Sequence, residues 1–179
     1  MRTNRTILTE RTSRRGFTLI EILAVVVILG IISAVILPQM TSRDDQRASA
    51  AARMVMSDLL YAQNRAIAQQ RVHYVRFDVA NKNYKVLDVF SPAHVIQNPV
   101  DGTTFQVTFA TGTLQQMALQ SASFDGQSVL AFDVMGIPQS VNASTGVMSP
   151  LTSGSVVVKS GTYTMTVSVS PYSGELTVQ

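Results

Sequence analysis

Residues 11–38 read RTSRRGFTLIEILAVVVILGIISAVILP. The basic stretch stops at Gly16, and 21 residues follow, Phe17 to Leu37, with a single charge, Glu21, near the start. At about 1.5 Å per residue a helix of that length reaches roughly 30 Å, the hydrocarbon thickness of a bilayer. Ten of these residues are Ile or Val, which are poor helix formers in water. In lipid an isolated segment satisfies its own backbone groups only as a helix. Residues 17–37 are therefore expected to span a membrane as a helix.

The flanks give the orientation. Residues 1–16 hold five Arg (Arg2, Arg5, Arg11, Arg14, Arg15) against Glu10, and Pro38 to Ser42 carry no charge. Basic flanks stay on the cytoplasmic side, so the rest of the chain is expected to be exported. A secretory signal peptide fits poorly. Its apolar core is shorter and ends in a small-x-small cleavage site, whereas here bulky Ile32 precedes Ser33-Ala34. A plain signal anchor fits the length and charge asymmetry equally well.

The junction separates these readings. Arg14-Arg15-Gly16-Phe17-Thr18-Leu19-Ile20-Glu21 resembles the recognition site of type IV pilins and type II secretion pseudopilins, and the match continues through Gly30 and Pro38. The resemblance implies that an aspartyl prepilin peptidase cuts after Gly16, removing residues 1–16, and N-methylates the new terminal Phe17. It also implies that Phe17, Thr18 and Glu21 serve filament assembly, Glu21 neutralising the terminal amine of a neighbouring subunit. The implied partners are the peptidase, other pilin or pseudopilin subunits, the inner-membrane assembly platform and the lipid bilayer.

Physical chemistry supports these residues separately. Gly16 has no side chain to keep a protease from the backbone. A carboxylate inside a bilayer costs on the order of a few kcal/mol unless paired, which makes Glu21 a functional candidate. A first-turn acid favoured by the helix dipole and reaching for the interface is the competing account. Gly30 and Ala34, four apart on one face with Ser33 nearby, would let helices approach closely in lipid. Pro38 removes a backbone donor and crowds the carbonyl of Ala34, so a kink or break is expected there.

Beyond Pro38, Ala48, Ala52, Val55, Leu59, Ala62 and Ala66 recur at steps of 4 and 3, the pattern of one apolar helical stripe. Residues 38–71 are read as an amphipathic helix, continuous from Gln39 to Gln70 because no Gly or Pro interrupts them. From Val72 the period becomes two. Val72–Val79 and Tyr84–Val89 flank Ala80-Asn81-Lys82-Asn83 as a hairpin. Phe105–Phe109, Val129–Val134 and Thr162–Val169 alternate similarly, and Pro171–Gly174 turns the chain into Glu175–Val178. Residues 91–104 and 138–155, rich in Ser, Pro, Gly, Asn and Thr, read as loops.

The expected fold is α+β: a pilin-like lollipop whose long N-terminal helix, half membrane-embedded and half amphipathic, packs on a small antiparallel β-rich head, residues 72–179. That length suffices for one core. Leu130–Pro138 and the closing Ser173-Gly174-Glu175-Leu176 resemble the C-terminal part of the GspH/FimT-like minor pseudopilins. The resemblance then implies a structural minor pseudopilin that supports protein export. A minor type IV pilin serving pilus assembly or DNA uptake is the alternative, and a signal-anchored periplasmic binding or enzyme domain the rival from another class.

The formal net charge of +3 misleads. Without the leader, nine basic residues face ten acidic ones, and beyond Phe90 only Lys159 opposes Asp101, Asp125, Asp133 and Glu175. Nucleic-acid binding runs on Lys/Arg contacts to phosphate, and the closing turn carries Gly174-Glu175 where some FimT-like relatives carry basic residues. Nucleic acid is thus not an expected partner. No cysteine is present, so thiol chemistry, Cys-ligated metal and disulfides are excluded. His73 and His94 are isolated, and the scattered Asp101, Asp125 and Asp133 suit turns better than a calcium shell of six to eight oxygens. No catalytic residue, cofactor or metal is expected.

Overall fold

The computed structural model describes residues 16–39 and 43–179, with side chains for residues 16–34 and 43–179. The leader, residues 1–15, lies outside the described residues. Two compact units are separated at Ser42, the second running Arg43–Gln179.

In the first unit, Gly16–Thr18 is non-helical and helix α1 spans Leu19–Gln39. Helix thus begins two residues later than the apolar run, because Thr18 caps it: its carbonyl accepts from the Glu21 and Ile22 amides at 3.1 and 3.2 Å. α1 continues through Pro38 to Gln39, the last described residue of this unit. Among the described residues no helix is long and apolar enough to cross a membrane. Side chains are described in α1 only as far as Ala34, short of Leu37, where the apolar run ends.

In the second unit, α2 spans Asp44–Gln69. The expectation of one helix continuous from Gln39 to Gln70 is corrected here: Arg43 (φ −95°, ψ 19°) is non-helical, and the helix starts at the acidic pair Asp44-Asp45. Acids in the first turn are favoured by the helix dipole, which gives that position a reason to be a start. At the other end Gln70 turns left-handed (φ 51°), and its amide and that of Arg71 reach back to the carbonyls of Ile67 and Ala66. All six stripe residues, Ala48, Ala52, Val55, Leu59, Ala62 and Ala66, are buried, and Ala51 joins them.

The strands are β1 (His73–Asp78), β2 (Asn83–Leu87), β3 (Gln106–Thr108), β4 (Met117–Phe124), β5 (Val129–Phe132), β6 (Pro138–Val141), β7 (Met148–Pro150), β8 (Gly154–Ser160), β9 (Tyr163–Val169) and β10 (Leu176–Val178). They form two antiparallel sheets, ordered β3-β2-β1-β5-β6-β7 and β10-β9-β8-β4. The β1–β2 hairpin closes over residues 79–82, with Asp78 opposite Asn83, as alternation predicts. Residues 138–155 are not the expected loop. They hold β6, β7 and the first two residues of β8. Pro138 is tolerated because it is the first residue of its strand, opposite Phe132.

α2 lays its Ala-rich stripe against both sheets. Short side chains let the helix approach closely, and the core beneath it includes Val75, Phe77, Tyr84, Phe124, Phe132, Val158 and Val167. A smaller apolar cluster, Val129, Ala131 and Val141 with Val72, Tyr74 and Phe90, covers part of the other face of the six-stranded sheet.

One polar contact interrupts the helix–sheet core. The Tyr84 hydroxyl donates to Asp58 Oδ2. Burial pushes the Asp58 carboxyl above its ordinary value of 3.8, against the opposing pull of the Tyr84 bond. With the folded value raised, stability from the protonated form is complete below 3.8 and is lost as pH climbs through the raised value. Asp58→Asn retains a carbonyl acceptor for Tyr84 and cannot ionise. Its urea midpoint, measured on the full chain in detergent, should gain on the parent's between about pH 3 and pH 7. A difference that stays flat with pH would remove Asp58 from this role.

Candidate functional site

The N-terminal segment is built by a cap. Thr18 Oγ1 accepts from the Glu21 amide at 3.3 Å, the first half of a capping box with Thr and Glu three apart. This leaves Gly16 and Phe17 non-helical ahead of the helix. A Cβ added at Gly16 would meet nothing within 4 Å, and Phe17 is 78% exposed. Glu21 therefore sits in the first turn, where the dipole favours its charge.

Along α1 the exposed side chains run round the whole helix, from Leu19 to Ile32. Gly30 has open space where a side chain would stand, and Ala34, one turn on, is exposed. Ser33 Oγ turns back to donate to Leu29 O at 2.6 Å, which hides its hydroxyl from an apolar surrounding. Pro38 lies in the last turn, where only the backbone is described. The segment is thus an uncovered apolar rod with one acid, one small-residue face and an accessible Gly-Phe bond at its head. Sequence reading named each of these residues but missed the capping role of Thr18, for which the Thr-x-x-Glu spacing was the available signal.

In the head, the two stretches 130–138 and 173–176 come together on α2. Gln63 Nε2 donates to Gly136 O at 2.9 Å and to Gly174 O at 3.4 Å. Both glycines have positive φ, 79° and 66°. Distant stretches thus share one clasp, which no local pattern could announce.

The residues considered for other chemistry are otherwise engaged. Asp101 Oδ1 accepts from Thr103 N and Oγ1 at 3.0 and 2.8 Å, and those bonds hold its carboxyl below the ordinary range. Asp125 accepts from the Thr152 hydroxyl and from the amides of Thr152 and Ser153, both at 2.9 Å, with the same effect. Asp133 accepts from the amides of Met135 and Ile137 at 2.8 and 2.9 Å. These are turn and loop contacts. His73 is fully buried, its Nδ1 donating to Arg71 O at 3.1 Å, and burial lowers its pKa. His94 is exposed.

Residues 11–37 match the profile described as the prokaryotic N-terminal methylation motif. Over 37 residues the chain is 60% identical to the type II secretion system core protein G of Pseudomonas aeruginosa, a match covering 21% of this chain and 26% of that protein. The chain thus spans about a quarter of that relative's length. Among solved structures, the minor pseudopilin EpsH from the type II secretion system of Vibrio cholerae aligns with a TM-score of 0.51 at 16% identity, over 75% of this chain and 94% of that one. The type IV minor pilin FimU of Pseudomonas aeruginosa aligns at 0.49 with 15% identity, over 75% of this chain and 89% of that one. At such identity the EpsH likeness shows the fold of the α+β head and nothing finer. The chain thus carries a prokaryotic N-terminal methylation motif over residues 11–37 and, beyond it, an antiparallel α+β head with the fold of EpsH.

Proposed function

We propose that this chain is a non-enzymatic minor pseudopilin of the GspH/FimT type, cut after Gly16, methylated on Phe17 and built into a type II secretion pseudopilus through α1. The observation that carries the reading is the methylation motif over residues 11–37, set on an exposed, non-helical Gly16-Phe17 junction ahead of a capped helix. A substrate backbone with no side chain on the Gly16 side of the cleaved bond suits close approach by a protease at the membrane surface. The 60% identity of a 37-residue stretch to a type II secretion core protein supports the secretion pseudopilus reading.

In this reading residues 17–37 insert in the inner membrane, with the Arg-rich leader cytoplasmic and the head periplasmic. Cleavage frees an amine at Phe17. In hydrocarbon an unpaired ammonium and an unpaired carboxylate are each costly, so the Phe17 amine of one subunit and Glu21 of its neighbour neutralise each other. The Gly30–Ala34 face lets neighbouring helices close up, and the assembly platform draws the subunit from the bilayer. Pro38 ends the tightly packed part of the helix.

Mass spectrometry of the chain purified from its native host tests the first step. The expected mature protein begins at N-methylated Phe17. A chain that begins at Met1 and stays monomeric in the membrane would instead be a signal-anchored periplasmic domain.

A further inference from the structure

Beyond Val72 the basic residues are Arg76, Lys82, Lys85 and Lys159, and the first three belong to the β1–β2 hairpin. Arg76 and Lys85 lie directly opposite each other in the β1–β2 register. Their strand neighbours Val75, Phe77, Tyr84 and Val86 point into the core, so this pair points to the outer face. Directly opposed positions hold their Cβ atoms about 5 Å apart, and like charges there destabilise a sheet. The rest of the row gives no relief: Gln106 follows Lys85 on one side, and Val129 then Val141 follow Arg76 on the other.

Asp78, two residues on along β1, relieves the pair only in part: its Asn81 hydrogen bonds chiefly, and the Lys85 charge beside them, hold its carboxyl below the ordinary value. Asp78 Oδ1 accepts from the Asn81 amide at 2.9 Å and Oδ2 from Asn81 Nδ2 at 2.7 Å. Among the described residues the one ion pair is Arg47 with Asp44, at 3.2 Å. Arg76 is nevertheless held in place. Its guanidinium carbon lies 5.2 Å from the centre of the Phe90 ring, Nη2 reaches Ala143 O at 3.5 Å, and Nε is buried without an acceptor. Phe90 is itself fixed from the far side, since a Cβ at Gly146 would stand 2.7 Å from its ring. Arg76, Lys85, Asp78, Asn81, Asn83 and Pro92 line a cleft of about 420 Å³.

A fixed guanidinium that lines one cleft with the cationic side chain from the directly opposed position suits the binding of an oxygen anion there. We propose that the Arg76–Lys85 cleft is an oxyanion site, taking a carboxylate or a phosphate group. The anion removes the repulsion between the two cations. Two sources offer that chemistry, an acidic polypeptide segment and a free phosphate, and they are separable by experiment.

Thermal unfolding of the full chain in a non-ionic detergent, at constant ionic strength, is the test. Replacing chloride by inorganic phosphate or by a hexaglutamate peptide, at about ten times its Kd, should raise Tm by about 3–5 °C. Tighter binding of the peptide assigns the acidic polypeptide; tighter binding of phosphate assigns the phosphate group. Lys85→Glu converts the repelling pair into a cross-strand ion pair, so its Tm in chloride should rise while the oxyanion shift disappears. Lys85→Gln should leave the fold intact and reduce the shift. Absence of a shift with both anions, or a Lys85→Glu chain that keeps the parent's shift, overturns the site.

Discussion

A Glu21→Val chain should be found in the membrane, trimmed to Phe17 and methylated, yet be missing from purified filaments. The substitution leaves the cleaved bond untouched, four residues upstream, and makes the apolar run of α1 more apolar, so insertion and processing proceed. Thr18 still caps the helix, because its partner there is the amide of residue 21 rather than the side chain. What is lost is the only acid between Phe17 and Leu37. A subunit entering a bundle then brings a terminal ammonium into hydrocarbon with no counter-charge, a penalty of several kcal/mol. Even 3 kcal/mol lowers incorporation by more than a hundredfold, since about 1.4 kcal/mol is tenfold. Shearing or affinity isolation of filaments, with immunoblotting of the membrane and filament fractions, reads the result. Wild-type levels of the variant in filaments would show that Glu21 plays no part in assembly. Glu21→Asp, which keeps the charge on a shorter stem, should recover part of the incorporation.

Much of the fold was legible because period and burial coincide. The α2 stripe could be read from spacing alone, since a long helix lying on sheets must keep one face apolar, and Ala at four of six positions told of a close approach. The β1–β2 and β9–β10 hairpins were equally plain, with alternating strands on either side of turn residues. Four strands, β4, β6, β7 and β8, escaped notice, and all but the Val-rich β8 share a different chemistry. β4 reads Met-Ala-Leu-Gln-Ser-Ala-Ser-Phe, and its register shifts between Leu119 and Ser121, so alternation is broken in its middle. β6 and β7 are made of Pro, Gln, Ser, Val and Met near one edge of the six-stranded sheet. Their identity as strands comes from pairing with neighbours, and pairing leaves little trace in local composition.

The functional segment divides in the same way. The Gly16-Phe17 junction, Glu21 and the apolar run are local features, and sequence alone locates them. The Arg76–Lys85 opposition is a matter of register, visible only once β1 and β2 are paired. The break between α1 and α2 at Arg43 was likewise hidden, because no Gly or Pro marks it and the acids of Asp44-Asp45 suit a helix start and a helix interior alike.

Replacing Gly174 by Ala should unfold the head at markedly lower urea, with a loss of about 2–4 kcal/mol. Two effects add. The backbone at Gly174 is left-handed, φ 66°, which costs a residue with a Cβ about 1 kcal/mol. The new Cβ would also stand 2.9 Å from the Gly136 carbonyl oxygen, a backbone atom that cannot swing aside, and closer still to Gln63 Nε2. Gln63 must then give up its donation to Gly136 O and Gly174 O, each bond worth about 1 kcal/mol and more when a partner stays buried. Gly102→Ala separates the two effects. Its φ is 69°, and nothing lies within 4 Å of the added carbon, so only the backbone penalty of about 1 kcal/mol applies. Gln63→Ala removes the hydrogen bonds without the clash and should fall between the two. If Gly174→Ala were no worse than Gly102→Ala in urea midpoint, the turns at Gly136 and Gly174 would not be fastened through Gln63, and the stretches 130–138 and 173–176 would owe their positions to the strands alone.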